Sequence, residues 1–247
     1  MENVSLLDRL EVGLLDEATS LKTLLRTVQF IGGHASSSTL QKWTRLELEG
    51  YYDSEHDLPS YRMVPAQIQV DARTMRWHMT QQSISVMELP KAAQSVVTEL
   101  APIGPGVGQV ETMVSSAEPG KAIKLGLPGA SELARIMSYE RRDRGMVIDA
   151  VYWAVHPSAL QDVLDQVRNR LVQFVAELRS AMPSNADNPT PEQVNRVVQH
   201  IWVVAGDNSP VTLAAPLAYA EQDASARAEV SEDAVQSGPK RRLRRAR

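Results

Sequence analysis

The chain has 247 residues, of which 43% are hydrophobic, enough to build one generous core or two small ones. It contains no cysteine, which excludes disulfides, thiolate metal sites and cysteine nucleophiles and points to a reducing, cytoplasmic setting. The formal charge of −4 conceals an asymmetry. Lys240, Arg241, Arg242, Arg244, Arg245 and Arg247 crowd the last eight residues, and without them 20 basic face 30 acidic residues, a net −10. Such a body repels nucleic acid at long range, so phosphate binding is expected only at this tail or at a local patch.

Residues 3–31 carry leucines at helical spacing, with a break near Thr19-Ser20 that predicts two helices capped apart and Gly32-Gly33 as the stop of the second. The start MENVSLLDRLEVGLL is acidic where a secretory signal is basic, and the apolar runs fall far short of the roughly 20 residues that span a bilayer, so no membrane partner is expected. Ser38 with Gln41 has the form of a capping box, and the helix it opens is expected to run to Glu49 and stop at Gly50. Pro59 and Pro65 bracket an extended segment, and the loose alternation of Gln67 to Val86 predicts two short strands.

The middle third is less regular. Helices are expected near 91–100, 107–116 and 130–138, separated by the loop IGPGVG and the extended KAIKLGLPG. Met146 to His156 is β-branched and aromatic and reads as a buried strand. A long amphipathic helix at 157–181 follows, with Leu160, Val163, Leu164, Val167, Leu171, Phe174, Val175 and Leu178 on one side. Thr190, Pro191 and Gln193 signal another helix start, with Val194 to Val204 read as a short helix running into a strand and Gly206-Asp207-Asn208 as a turn. The expected architecture is therefore α+β: N-terminal helical hairpins, a small mostly antiparallel sheet and the long helix. It forms one domain over 1–217, followed by a polar tail, 218–247, expected to be disordered.

Chemistry-bearing constellations are few. Arg73 and His78 have the spacing of the pair used by HEPN ribonucleases, in which histidine moves protons and arginine stabilises phosphate charge. Here the pair falls in a strand rather than a helix, which favours exposed strand residues. The glycines of Gly104 to Gly108 lack the spacing of a dinucleotide fingerprint, and Ser115 to Lys121 lacks the hydroxyl that follows a P-loop lysine. The histidines show no paired spacing for zinc, and neither metal nor cofactor is expected.

The most particular stretch is WTRLELEGYYDSEHDLPSYR, from Trp43 to Arg62. Trp43, Glu47 and Tyr51 share one helical face, and the chain returns soon afterwards with Tyr61 and Arg62. This geometry predicts a Glu47 to Arg62 ion pair between aromatic walls, a clamp that pins the extended segment onto the helix. The alternative is a polar pocket in which Arg62 or Arg168 holds an anion.

Trp43, Glu47, Leu48, Gly50, Tyr51, Leu58, Pro59, Tyr61 and Arg62 resemble the signature of the AbiTii domain, a bacterial family associated with abortive-infection phage defence. Val167-Arg168-Asn169-Arg170-Leu171 resembles a second recurring helix, and Gly206 to Asn208 is a looser third match, so the likeness covers most of residues 3–210. It implies an antiviral effector or toxin without assigning catalytic residues. Trp43, Glu47, Tyr51, Tyr61, Arg62, Arg168 and Asn169 are the binding or clamp candidates, and Arg73 and His78 the catalytic ones. The leading expectation is a non-enzymatic effector or self-assembling module, a homo-oligomer or partner of another defence protein, with the tail contacting nucleic acid or acidic surfaces. The alternative is a metal-independent ribonuclease or nucleotide-acting toxin.

Overall fold

The computed structural model describes residues 5–52, 58–183, 186 and 188–204, with the backbone alone for 144 and 201–204. The expected turn at Gly206 to Asn208, the boundary at 217 and the basic tail lie outside the described residues. Within them the chain is α+β, as the patterning predicts. Among the described residues no helix is long and apolar enough to cross a membrane.

Helix α1 (Leu6–Leu15) opens on a capping box in which the Ser5 hydroxyl accepts from the Asp8 amide and the Asp8 carboxylate accepts from the Ser5 amide. Ser20 caps α2 (Leu21–His34), so the break falls where the hydroxyls predict it. Gly32-Gly33, however, does not stop α2, which continues to His34 and ends where Ser36 takes φ +50°. Gly32 serves close packing instead. A Cβ there would lie 3.3 Å from Gln41 Cγ and 3.4 Å from Leu40 Cγ, on the helix that packs across it.

That helix, α3 (Ser38–Glu49), has Ser37 rather than Ser38 at its N-cap position, and the Ser37 hydroxyl makes no capping hydrogen bond. The predicted box does not form, because Gln41 Nε2 donates to the Gly32 carbonyl at 3.1 Å and spends its amide on α2. Gly50 ends α3 at φ +102°, as predicted.

Two sheets follow. Strand β1 (Met63–Pro65) pairs antiparallel with β4 (Leu100–Pro102). The larger sheet has the order β3-β2-β6-β5, with β2 (Gln67–Arg73), β3 (His78–Ile84), β5 (Ile123–Gly126) and β6 (Val147–Val155), and each pairing is antiparallel. Ile68, Val70 and Ala72 of β2 turn into the core, while Gln67, Gln69, Asp71 and Arg73 lie on the other face. Helix α6 (Ala130–Glu140) packs on β6, and the Ser138 hydroxyl accepts from the Ile148 amide at 2.8 Å.

The helix expected over 91–100 is only the single turn α4 (Lys91–Gln94), after which the chain extends into β4. β1 offers partners that no local pattern reveals, and the pairing overrides the apolar spacing. Helix α5 (Val107–Ser115) and the 25-residue α7 (Pro157–Ala181) fall where periodicity places them. The buried stripe of α7 is the one its periodicity predicts, Leu160 to Leu178. α8 (Pro191–Val204) begins at the predicted Thr190–Gln193 box but stays helical to Val204, so the expected passage into a strand does not occur there. α7 holds the helical layer together by packing against α1, α5 and α8.

Candidate functional site

Glu47 and Arg62 form an ion pair at 2.5 Å, and both side chains are fully buried. Three features of the chain bring them together. The α3 face repeats every four residues, so Trp43, Glu47 and the following Tyr51 line one side. Gly50 then reverses the chain at a φ that side chains rarely adopt. A single helical turn at Ser60–Arg62 returns Tyr61 and Arg62 to the carboxylate.

Side-chain and backbone partners surround the pair. Glu47 Oε1 accepts from the Tyr51 hydroxyl at 2.7 Å, the Tyr61 hydroxyl at 2.5 Å and Arg62 Nε at 3.4 Å. Arg62 Nη1 donates to the carbonyls of Ile103, 2.8 Å, and Pro105, 2.7 Å. Trp43 Nε1 donates to the Tyr61 oxygen at 3.2 Å. The guanidinium lies 4.9 Å from the Tyr51 ring centre, and Arg170 of α7 stacks over Tyr61 at 4.3 Å. Burial, and then the Glu47 carboxylate beside them, push both tyrosine hydroxyls far up, so they stay protonated and act as donors. For Arg62 burial opposes the charge, but the carboxylate outweighs it and holds the guanidinium firmly protonated.

The backbone closes around the pair. Ile103 N donates to the Arg62 carbonyl and Tyr51 N to the Gly104 carbonyl, each at 2.8 Å, and Gly50 bridges Pro105. A Cβ on Gly106 would lie 2.4 Å from the Leu48 carbonyl oxygen. Within IGPGVG it is Gly106 that serves a close chain crossing.

The remaining sequence candidates lie elsewhere. Arg168 donates to the carbonyls of Leu14 and Thr19, 3.4 and 3.0 Å, where it secures the α1–α2 connection rather than joining the acid pair. Asn169 is exposed. The α7 residue that reaches the cluster is Arg170, one position beyond the two chosen from sequence; its place beside the buried Val167 and Leu171 of the helix is the signal that could have found it.

Arg73 and His78 are direct cross-strand partners on β2 and β3, both exposed, with Arg73 Nε 3.3 Å from Asp149. The pair is therefore set on a hairpin, not on a helix. Among the described residues no group of three or more His, Asp or Glu is arranged to hold a metal.

Two features escaped sequence reading. On the outer face of the sheet Asp71 gathers Lys124 Nζ at 2.6 Å, the Tyr152 hydroxyl at 2.9 Å and the Gln81 amide at 2.8 Å. Burial raises the Asp71 pKa, but these donors together hold it below the usual carboxylate value. A cleft of about 260 Å³ opens beside the starts of α2 and α5, lined by Lys22, Glu49, Gln109 and Glu111 among others. There Glu111 Oε1 already accepts from the Leu21 amide at 3.2 Å.

The stretch from Trp43 to Arg62 is thus a physical object, a buried acid–arginine–tyrosine network that ties α3 to the segments flanking β1 and β4. A family model described as AbiTii matches residues 5–202. The chain belongs to the AbiTii family. No curated protein and no solved structure matches it. Membership places this AbiTii chain among proteins of abortive-infection phage defence.

Proposed function

We propose that this AbiTii protein acts in the bacterial cytoplasm as a non-enzymatic effector or self-assembling interaction module of antiviral defence. The observation that carries this reading is the enclosure of the Glu47–Arg62 pair, fully buried and hydrogen-bonded to two tyrosine hydroxyls and two backbone carbonyls. A group that binds a ligand or moves a proton needs an open position, and this one serves as a joint. Apolar side chains at the surface, among them Val12, Leu15 and Phe30, are suited to contacts with a second copy or another defence protein.

The ribonuclease or nucleotide-toxin reading keeps one observation in its favour, the direct opposition of Arg73 and His78 across the hairpin. Phage plating separates the two. Under the module reading, Arg73→Ala and His78→Ala keep full protection and cellular RNA stays intact on expression, whereas Leu15→Glu or Phe30→Glu abolishes protection. Loss of protection in Arg73→Ala or His78→Ala, with RNA degraded by the wild type alone, replaces it with the enzyme.

A further inference from the structure

The register of β2 and β6 brings together two basic, aromatic segments that are far apart in sequence. Arg73 is the Cα partner of both His78 and Val147, so the hairpin turn between β2 and β3 sits at the same end of the sheet as the start of β6. β6 is preceded by Arg141, Arg142 and the left-handed Gly145, and the Ser138 bond to Ile148 holds the last turn of α6 against the same end. Neighbouring strands lie about 4.8 Å apart, so the start of β6 lies about one strand spacing from the end of β2 that enters the hairpin turn.

The side chains there have a common character. Met75 is fully exposed, Trp77 is 48% exposed and Tyr139 67%. Arg142 lies over the Tyr139 ring at 4.1 Å. The turn is preformed: the amides of Arg76 and Trp77 both donate to Thr74 Oγ1, and the Thr74 amide donates to the Trp77 carbonyl at 2.9 Å. Asp149 partners Arg73 and Asp143 lies 3.8 Å from Arg142, while Arg76 and Arg141 have no ion-pair partner among the described residues. Glu140 is the other acid of the segment. In a chain whose body is strongly acidic, cations interleaved with open rings at one sheet end stand out as a local phosphate-attracting surface.

We propose that this end of the sheet, centred on Arg76, Trp77, Tyr139 and Arg142, is a binding surface for single-stranded nucleic acid. The arginines meet phosphates, and the indole and phenol rings stack on unpaired bases, whose faces are open only in a single strand. An acidic protein segment would use the cations and leave the rings idle, which is why nucleic acid is the better fit. The acidic remainder keeps the affinity weak and salt-dependent.

Fluorescence anisotropy with labelled oligo-U and oligo-dT of about 12 nucleotides tests this on the full chain. The same titrations are run on the full chain carrying Lys240→Gln, Arg241→Gln, Arg242→Gln, Arg244→Gln, Arg245→Gln and Arg247→Gln, which silences the basic tail. In both, Trp77→Ala is expected to weaken binding at least about fivefold, from the lost stacking. With about three phosphates engaged, affinity should fall roughly 20-fold between about 50 and 200 mM salt, and Arg76→Glu with Arg142→Glu should flatten that slope. Preference for oligo-U or for oligo-dT assigns RNA or DNA as the natural strand. The proposal is overturned if neither chain binds, if Trp77→Ala stays within twofold of its parent, if binding vanishes with the tail substitutions alone, or if polyglutamate competes as well as the oligonucleotide.

Discussion

Glu47→Gln is the sharpest perturbation of the joint. The change is nearly isosteric, so it leaves packing intact and isolates the charge. If the new amide nitrogen takes the place of Oε2, it faces Arg62 Nη2, donor against donor, across 2.5 Å. If it takes the place of Oε1, it meets two tyrosine hydroxyls and Arg62 Nε, all of which donate to that oxygen in the wild type. Either orientation leaves a fully buried guanidinium without its counter-charge. Removing one partner of a buried pair costs about 3–5 kcal/mol, against a total stability of about 5–15 kcal/mol for a domain. For a domain near 200 residues that corresponds to a fall in Tm of roughly 6–20 °C. Urea unfolding followed by far-UV circular dichroism measures it directly, with an unchanged m-value expected. A loss under about 1 kcal/mol would show that water or backbone movement relieves Arg62, and that the network is not the joint inferred above.

Three further predictions use other parts of the fold. Gly106→Ala places a methyl against the Leu48 carbonyl and should cost about 3 kcal/mol or more, while Gly104→Ala, with nothing within 4 Å, should stay within about 0.5 kcal/mol; thermal melts of the two compare them. Asp71 is held below its ordinary pKa, so its contribution is complete above about pH 3.9 and is lost as pH falls through the lower folded value. Asp71→Asn should therefore cost about 1–2 kcal/mol at neutral pH and become indistinguishable from wild type in strong acid, as followed by urea titrations across pH. Arg168→Met should cost about 1–2 kcal/mol and speed amide exchange around residues 14–20, without disturbing the Glu47 network, since its two hydrogen bonds reach only Leu14 and Thr19.

What the sequence revealed follows the range of its signals. The stripe of α7 depends on spacing and the strand β6 on β-branched and aromatic content, each within a single segment, and both appear where those signals place them. The pairing of Glu47 with Arg62 was legible because a helix face and a glycine turn bring residues 15 apart into register. The carbonyls of Ile103 and Pro105, which complete Arg62, were not legible: a backbone oxygen carries no residue signature, and its position depends on β1 finding β4. The same non-local pairing shortened the helix expected over 91–100. Gly32 misled because a helix-internal glycine used for close packing looks, from one segment, like a stop. Arg168 and Arg170 differ by two positions on α7, and only the helix's neighbours decide which one faces Tyr61.

The sharing of Glu47 Oε1 among three donors has a consequence for how the chain can change over generations. Replacing the carboxylate alone strands the guanidinium and two hydroxyls, and replacing Arg62 alone strands the carboxylate together with the carbonyls of Ile103 and Pro105. A route from this network to an apolar joint thus requires several substitutions at once, each intermediate being less stable than either end. Residues 47, 51, 61 and 62 thus form a mutational lock, in which no member can be exchanged alone without stranding its partners.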